Sequence, residues 1–166
     1  MRIPLSLREV KTKSDDDVSM TELTGVLLCR RPTLKRRSIT FMIDTGATMP
    51  LILTEQDAEL LGVPFSSSHV RRVEADKAPT AWSGTLETYE ISRVVLLTKT
   101  LDDDGKPRLG RFELPKVHIV KNTPPGLPSA IGVGFLLLFQ LRFVFSPIEG
   151  KAFFEGISSQ GSNPSR

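Results

Sequence analysis

Alternating apolar and polar positions along most of the chain predict short β-strands separated by polar turns. The strand-like runs are rich in β-branched and aromatic residues and lie at 26–29, 39–43, 51–53, 69–75, 82–91, 92–100, 108–113, 116–120, 141–145 and 151–154. Two short helices interrupt them, one with its N-cap at Thr54 and its end before Gly62, and one over 133–140. The pattern therefore predicts a mostly β protein with two short helices.

The length of 166 residues indicates one domain with enough core to fold without covalent cross-links. Residues 1–19 have little periodicity and contain the run Asp15-Asp16-Asp17, which predicts a flexible N-terminal arm, with a short strand near its start as the alternative. Residues 20–156 form the predicted folded domain, and residues 157–166 form a polar C-terminal tail. The segment 122–128, with its three prolines, is predicted to be a rigid irregular connection.

Composition excludes several classes of protein. Apolar residues make up 39% and charged residues 25% of the chain, which is ordinary for a soluble globular protein. Cys29 is the single cysteine, so an internal disulfide is impossible and a reducing compartment is favoured. We find no signal peptide, and the longest apolar run, 135–139, is too short to cross a bilayer. The expectation is a cytoplasmic protein without a membrane partner.

The chain has a formal net charge of +3, and much of the excess lies in a basic loop, Arg30, Arg31, Lys35, Arg36 and Arg37. Aromatic residues do not alternate with these cations, so a nucleic-acid partner is not expected. The loop is interpreted as solvent-facing, with the alternative that it orients acidic substrates or tethers a partner.

Asp44 is the first candidate for chemistry. It follows the apolar run 39–43 directly and begins a tight turn in which Gly46 permits backbone angles that a strand cannot hold. A carboxylate at this place is partly removed from water. The residues alone leave two interpretations open, a structural turn cap and a catalytic acid or base.

The stretch Phe41-Met42-Ile43-Asp44-Thr45-Gly46-Ala47-Thr48 resembles the active-site motif of aspartic proteases, in which apolar residues precede Asp-Thr/Ser-Gly-Ala-Thr/Ser. Downstream, Ala130-Ile131-Gly132 and the apolar segment after it resemble the glycine element and helix of the same family. Gly132 follows Asp44 by 88 residues, which suits a single-domain, retropepsin-like member. One departure is Gly134, where many single-domain relatives carry an acidic residue.

The resemblance implies a mostly β acid-protease domain, a closed or partly open barrel with one or two short helices and a flap hairpin. It assigns Asp44 as the catalytic residue and Thr45, Gly46, Ala47 and Thr48 as support for the active-site loop, with Ile131 and Gly132 as the glycine element. The flap or substrate-binding residues are expected to include Ala75, Asp76, Lys77 and Trp82. No cofactor and no metal is implied.

This chemistry needs two carboxylates that share one proton, and the chain has one such motif. The resemblance therefore implies a homodimer in which Asp44 meets its symmetry mate, with a peptide or protein as substrate. The C-terminal strand at 151–154 is expected to pair across the interface. The alternative is a catalytically inactive peptide-binding or dimerisation module that retains the fold.

The remaining candidates have simpler explanations. His69 and His118 are isolated and are expected in strand packing or at the surface rather than at a metal. The run Asp102-Asp103-Asp104-Gly105 lacks the spacing of a calcium loop and is predicted to be a solvated turn. Trp82 is interpreted as either a packed aromatic or a substrate contact, because it lies beside the predicted flap.

Overall fold

The protein's structure is a computed structural model that describes residues 1–11, 17–73 and 87–157. Eleven strands and two helices occur in the order β1 (Arg2–Pro4), β2 (Ser6–Lys11), β3 (Asp17–Leu28), β4 (Ser38–Asp44), β5 (Leu51–Thr54), α1 (Glu55–Leu60), β6 (Val70–Arg72), β7 (Thr88–Leu101), β8 (Pro107–Val120), β9 (Ser129–Gly132), α2 (Val133–Leu138), β10 (Leu141–Ser146) and β11 (Lys151–Gly156). The predicted helices and most of the predicted strands are present.

Six of these strands close on themselves in the order β7-β8-β5-β9-β4-β3, because β3 also pairs with β7. Two neighbouring pairs, β4–β9 and β5–β8, are parallel, whereas β5 and β9 are antiparallel to each other. The remaining strands extend the sheet outside the ring: β6 on β7, β2 on β3, and the series β1, β11, β10 beyond β7. The predicted fold class is confirmed in its mostly β composition, its closed barrel and its two short helices.

Strand periodicity determines which side chains fill the barrel. In β4, Ile39 and Phe41 are buried, while Ser38 and Thr40, on either side of Ile39, are exposed. Such two-residue alternation places one face of each strand in the core and the other in solvent. A cluster of phenylalanines joins α2 to the sheet. The ring centroid of Phe135 lies 4.8 Å from that of Phe139 and 5.4 Å from that of Phe112.

Helix α1 begins where the sequence predicted. The main-chain N–H of Asp57 donates to the Thr54 side chain at 3.4 Å, so Thr54 is the N-cap. Beyond the helix, Gly62 has a φ of +69°, which favours glycine and ends the helical run. Within the described residues, neither helix is long and apolar enough to cross a membrane.

The N-terminal segment differs from the predicted arm. Residues Arg2–Pro4 pair with β11, and Ser6–Lys11 pair with the first half of β3. A short strand near the start was the alternative interpretation of this segment, but the extent of the pairing was not predicted, because the polar residues give little periodicity. The place of β1 in the sheet comes from a partner far along the chain.

Two predicted interruptions are also corrected. The runs 82–91 and 92–100 were predicted as separate strands, but Thr88–Leu101 forms one strand, and β8 likewise continues through Pro115. The pairing skips only Arg93, which has a φ of 58°, and Pro115, which has no N–H to donate. The local irregularity is thus accommodated inside a continuous ladder.

Candidate active site

Asp44 is the last residue of β4, and its position is set by the parallel pairing of β4 with β9. Ile43 lies opposite Ile131, and Asp44 lies opposite Gly132. The predicted motif and the predicted glycine element, far apart in sequence, are therefore adjacent strand ends. Ile131 is fully buried, while Asp44 is partly exposed at the edge of the core.

The turn after β4 is held by hydrogen bonds to Asp44. The Gly46 N–H donates to Asp44 Oδ1 at 2.9 Å, and the Ala47 N–H donates to the Asp44 carbonyl at 3.2 Å. Ala47 is buried, whereas Thr45, Gly46 and Thr48 are exposed. The carboxylate is consequently oriented by the main chain and accessible from solvent in the single chain.

The segment 47–50 crosses directly over the glycine element. Val133 donates its N–H to the Ala47 carbonyl at 2.8 Å, and a Cβ on Gly132 would lie 2.3 Å from the Met49 carbonyl oxygen. A Cβ on Gly134 would lie 2.3 Å from the Thr48 carbonyl oxygen. Both positions require glycine because the main chain of 47–50 occupies the space that a side chain would need. From sequence, Gly134 was recognised only as a departure from the family's acidic residue. Its close packing against Thr48 was not predicted, because it depends on contacts between distant segments.

A buried polar link supports β9 from the other side. Ser129 is fully buried; its hydroxyl donates to Asp57 Oδ2 at 2.5 Å and accepts the Thr54 N–H at 3.0 Å. These bonds join the start of β9 to the start of α1. Sequence reasoning missed Ser129 because nothing local distinguishes it from any other polar residue before an apolar run.

The predicted flap residues Ala75, Asp76, Lys77 and Trp82 lie outside the described residues. The two chain segments that lead to them are described, and they pair with each other. Val73 donates its N–H to the Thr88 carbonyl at 2.8 Å, and Arg72 lies opposite Tyr89 in the β6–β7 ladder.

Glu87 joins the side chains at this paired base. Its carboxylate accepts from Arg72 at 3.0 Å and from the Tyr89 hydroxyl at 2.9 Å. The hydrogen bond to Glu87 raises the pKa of Tyr89, because losing the proton would place two negative charges together.

The two histidines and the aspartate turn at 102–105 lie in environments that do not form a second site in the described residues. His118 is 7% exposed, its Nδ1 has no hydrogen-bond partner, and burial lowers its pKa, with Glu90 and Lys116 nearby. His69 is exposed. Asp102 accepts main-chain N–H groups of Asp104 and Lys106, as expected of a turn. Within 1–11, 17–73 and 87–157, no cluster of three or more His, Cys, Asp or Glu side chains could hold a metal.

The basic loop Arg30, Arg31, Lys35, Arg36 and Arg37 is exposed, as predicted. It precedes β4, whereas Asp44 ends β4, so the strand separates the two by roughly 20 Å. This distance separates the loop from the Asp44 carboxylate. Cys29, at the start of the loop, is partly buried, with Sγ 3.4 Å from the Arg31 carbonyl oxygen.

No protein-family model and no curated protein matches this chain. Solved structures that resemble it include the following two. The crystal structure of a retropepsin-like aspartic protease from Rickettsia conorii gives a TM-score of 0.48 with 15% identity over 93% of this chain and 98% of that one. The retroviral protease-like domain of Ddi1 from Leishmania major gives 0.40 with 16% identity over 72% and 78%. The fold assignment itself rests on the closed barrel and the β4–β9 pairing.

Proposed function

We propose that the protein is an aspartic endopeptidase that hydrolyses peptide bonds with a pair of Asp44 side chains, one from each subunit of a homodimer. The observation that carries this proposal is the adjacency of Asp44 and Gly132 at the ends of two parallel strands, with the carboxylate fixed by the Gly46 N–H. A turn cap needs only the latter bond. It does not need a glycine element pressed against the loop.

A dimer follows from the number of carboxylates. The chain has one Asp-Thr/Ser-Gly motif, and in its described part Asp44 forms no ion pair. Two like charges held close together cannot both ionise, so a two-fold pair of Asp44 residues would carry one shared proton. Exposure of Thr45 and Gly46 in the single chain leaves room for a second copy against the same turn.

The reaction then uses the two states of the pair. The ionised Asp44 takes a proton from a water molecule whose oxygen attacks the peptide carbonyl carbon, and the protonated Asp44 gives its proton to the carbonyl oxygen. When the tetrahedral intermediate collapses, one of its two hydroxyl groups returns a proton to the Asp44 that had donated one. The C–N bond breaks, and the leaving nitrogen receives the proton that came from water, so the pair again holds one shared proton. No metal or cofactor takes part.

The proposed substrate is an extended peptide or an exposed protein segment. The described strands on either side of 74–86 pair with each other, and we propose that Ala75, Asp76, Lys77 and Trp82 belong to a flap hairpin that binds substrate. Closure of such a hairpin from each subunit would exclude water from the reacting bond. The protease domain is assigned to residues 20–156, with β1 and β2 added to its sheet.

The test is cleavage of a peptide library by the wild-type chain and by Asp44→Asn. The asparagine keeps the size of the side chain and an oxygen acceptor for Gly46, but it cannot take or give the proton, so a loss of about 10²–10⁴-fold is expected. Asp104→Asn, an exposed aspartate in the 102–105 turn, is the matched control and should retain full activity. Full activity in Asp44→Asn would contradict the proposal.

The same experiment separates the alternative, a catalytically inactive module. That function predicts peptide binding without turnover in the wild type and no effect of Asp44→Asn on binding. Turnover that disappears in the Asn variant excludes it.

A further inference from the structure

The basic loop between β3 and β4 is anchored to the body of the protein. Pro32 and Leu34 are buried, and Leu34 belongs to the core of the barrel. The Lys35 N–H donates to the Leu61 carbonyl at the end of α1, at 2.8 Å. The side chain of Lys35 also packs over Gly62, where an added Cβ would lie 3.0 Å from Lys35 Cε. The exposed residues of the loop are therefore presented on a fixed support.

The five cations of this loop have no acidic partner in the described part of the chain. All five are exposed, and none of them forms an ion pair with a described acid. Elsewhere such pairs are formed: Arg2, Arg108 and Arg142 each lie within 3.2 Å of a carboxylate oxygen. Because like charges repel one another, an uncompensated group of cations is typical of a surface that attracts a ligand of opposite charge.

A bulge in β7 adds a sixth cation beside the loop. The pairing of β7 with β8 skips Arg93, which is exposed and has a φ of 58°, an uncommon value for a residue with a side chain. Cys29 Sγ lies 3.5 Å from the Ser92 carbonyl oxygen, so the bulge lies against the start of the loop. We refer to the loop cations together with Arg93 as the basic surface.

The acids closest in sequence to these two contacts do not neutralise the basic surface. Glu90, two residues before Ser92, pairs with Lys116 at 2.9 Å. Glu59, two residues before Leu61, is exposed and forms no ion pair within the described residues. Six cations beside one such acid leave the surface strongly positive.

The composition of the basic surface favours a polypeptide with carboxylates over other anions. Its cations are arginines apart from Lys35, and a guanidinium binds a carboxylate through two parallel hydrogen bonds. Residues 29–38 contain no aromatic residue on which a nucleic-acid base could stack. The same residues expose no large apolar side chain that could enter a lipid bilayer.

We propose that the basic surface binds a segment of the protein substrate that is rich in Asp and Glu. The inference rests on the proposed function, and it concerns a region outside the cleft. Strand β4 separates the loop from Asp44 by roughly 20 Å, so an extended substrate needs at least about six residues between the cleaved bond and its acidic segment. Binding at this second place raises the effective concentration of the cleaved bond near Asp44 and takes no part in the chemistry.

The first test measures binding without turnover, in the Asp44→Asn chain. Fluorescence anisotropy follows a labelled peptide of alternating Glu and Ser, and an analogue with Gln in place of Glu. We expect the Glu peptide to bind at least about 10-fold more tightly than the Gln peptide, because several charge pairs act together. Its dissociation constant should rise as salt is added, since salt screens exposed charges. Equal binding of the two peptides would overturn the proposal.

The triple variant Arg30→Gln, Arg36→Gln, Arg37→Gln tests whether these cations are responsible. All three side chains are exposed, so the circular dichroism spectrum should be unchanged. The dissociation constant of the Glu peptide should rise at least about 10-fold. Tighter binding of a single-stranded oligonucleotide or of phosphatidylserine vesicles than of the Glu peptide, if lost in the triple variant, would assign the surface to another partner and overturn the proposal.

The matched control removes the same amount of charge from other parts of the surface. It is the triple variant Lys99→Gln, Lys106→Gln, Lys151→Gln, at three exposed positions outside the basic surface. The control should bind the Glu peptide like its parent. Equal weakening in both triple variants would mean that net charge alone attracts the peptide, and it would contradict a defined site.

A second measurement connects the basic surface to cleavage. A peptide that the wild type cleaves is extended by a run of Glu or of Gln, through a flexible linker of about eight residues or of about two. With the long linker, the Glu run should lower KM about 10-fold with kcat unchanged, because the added contacts strengthen substrate binding alone. The short linker, or the triple variant at positions 30, 36 and 37, should remove this difference.

The outcomes separate this inference from the proposed function. Cleavage with equal KM values for the Glu and Gln runs on the long linker would overturn this inference and leave the proposed function intact. Absence of cleavage for every peptide would overturn the proposed function, and with it the role of the basic surface in substrate binding.

Discussion

Replacing Gly134 with alanine has two opposite effects on the free energy of unfolding, a gain from helix propensity and a loss from steric overlap. Gly134 lies within α2, where alanine is favoured over glycine by about 1 kcal/mol on helix propensity alone. The new Cβ, however, would lie 2.3 Å from the Thr48 carbonyl oxygen and 2.8 Å from the Pro50 nitrogen, where ordinary contacts begin at 3.4 Å. Both neighbours are main-chain atoms, so the active-site loop must move by about 1 Å, and overpacking of this kind costs about 1–3 kcal/mol.

We therefore expect Gly134→Ala to lower the free energy of unfolding by up to about 2 kcal/mol in urea denaturation, despite the better helix propensity of alanine. Peptide cleavage should fall about 100-fold, because a displacement of 1 Å near the reacting groups has that effect. Gly156→Ala is the matched control, since its Cβ would meet only the Met1 carbonyl oxygen at 3.8 Å. A Gly134→Ala protein that is more stable than the wild type and fully active would refute the steric argument.

Two further predictions concern buried polar groups. Ser129→Ala removes the hydroxyl that donates to Asp57 and should reduce the free energy of unfolding by about 1–3 kcal/mol in urea. Ser68→Ala, at an exposed position, should change it by less than about 0.5 kcal/mol. Burial lowers the pKa of His118, so the unfolded chain binds a proton at this residue more readily than the folded chain does. The contribution of neutral, buried His118 to stability is therefore complete above about pH 6.5, and it is lost as the pH falls toward the folded pKa. Urea denaturation across pH 7.5 to 5 should therefore show a slope that His118→Gln reduces and that His69→Gln leaves unchanged; equal slopes in all three proteins would contradict this.

The local features of the site could be predicted from sequence. Asp44 is the last residue of β4, Gly46 lies in the turn directly after it, and Thr54 lies next to the helix that it caps. Each is therefore recognisable from its immediate neighbours. The turn at Asp102–Gly105 belongs to the same class. In each case the backbone conformation and the hydrogen bond depend on residues within a few positions.

The features that sequence reasoning missed all depend on distant partners. The bond from Ser129 to Asp57 joins residues 72 apart, and the need for glycine at 134 comes from the loop at Thr48. Strand β1 exists because β11 lies beside it, and the same pairing makes β11 an interior strand. Hydrophobic periodicity identifies a strand and its buried face, but it does not identify the neighbours that pair with its two edges.

Mixing wild-type and variant subunits tests directly whether one active site uses Asp44 from two chains. Wild-type and Asp44→Asn chains are unfolded together in equal amounts, refolded, and assayed at a fixed total chain concentration. If both carboxylates are required and the chains assort at random, about one quarter of the dimers carry two Asp44 residues, and activity should be about one quarter of that of the wild type. Activity near one half would mean that each chain works with its own Asp44 alone, and it would contradict the shared site.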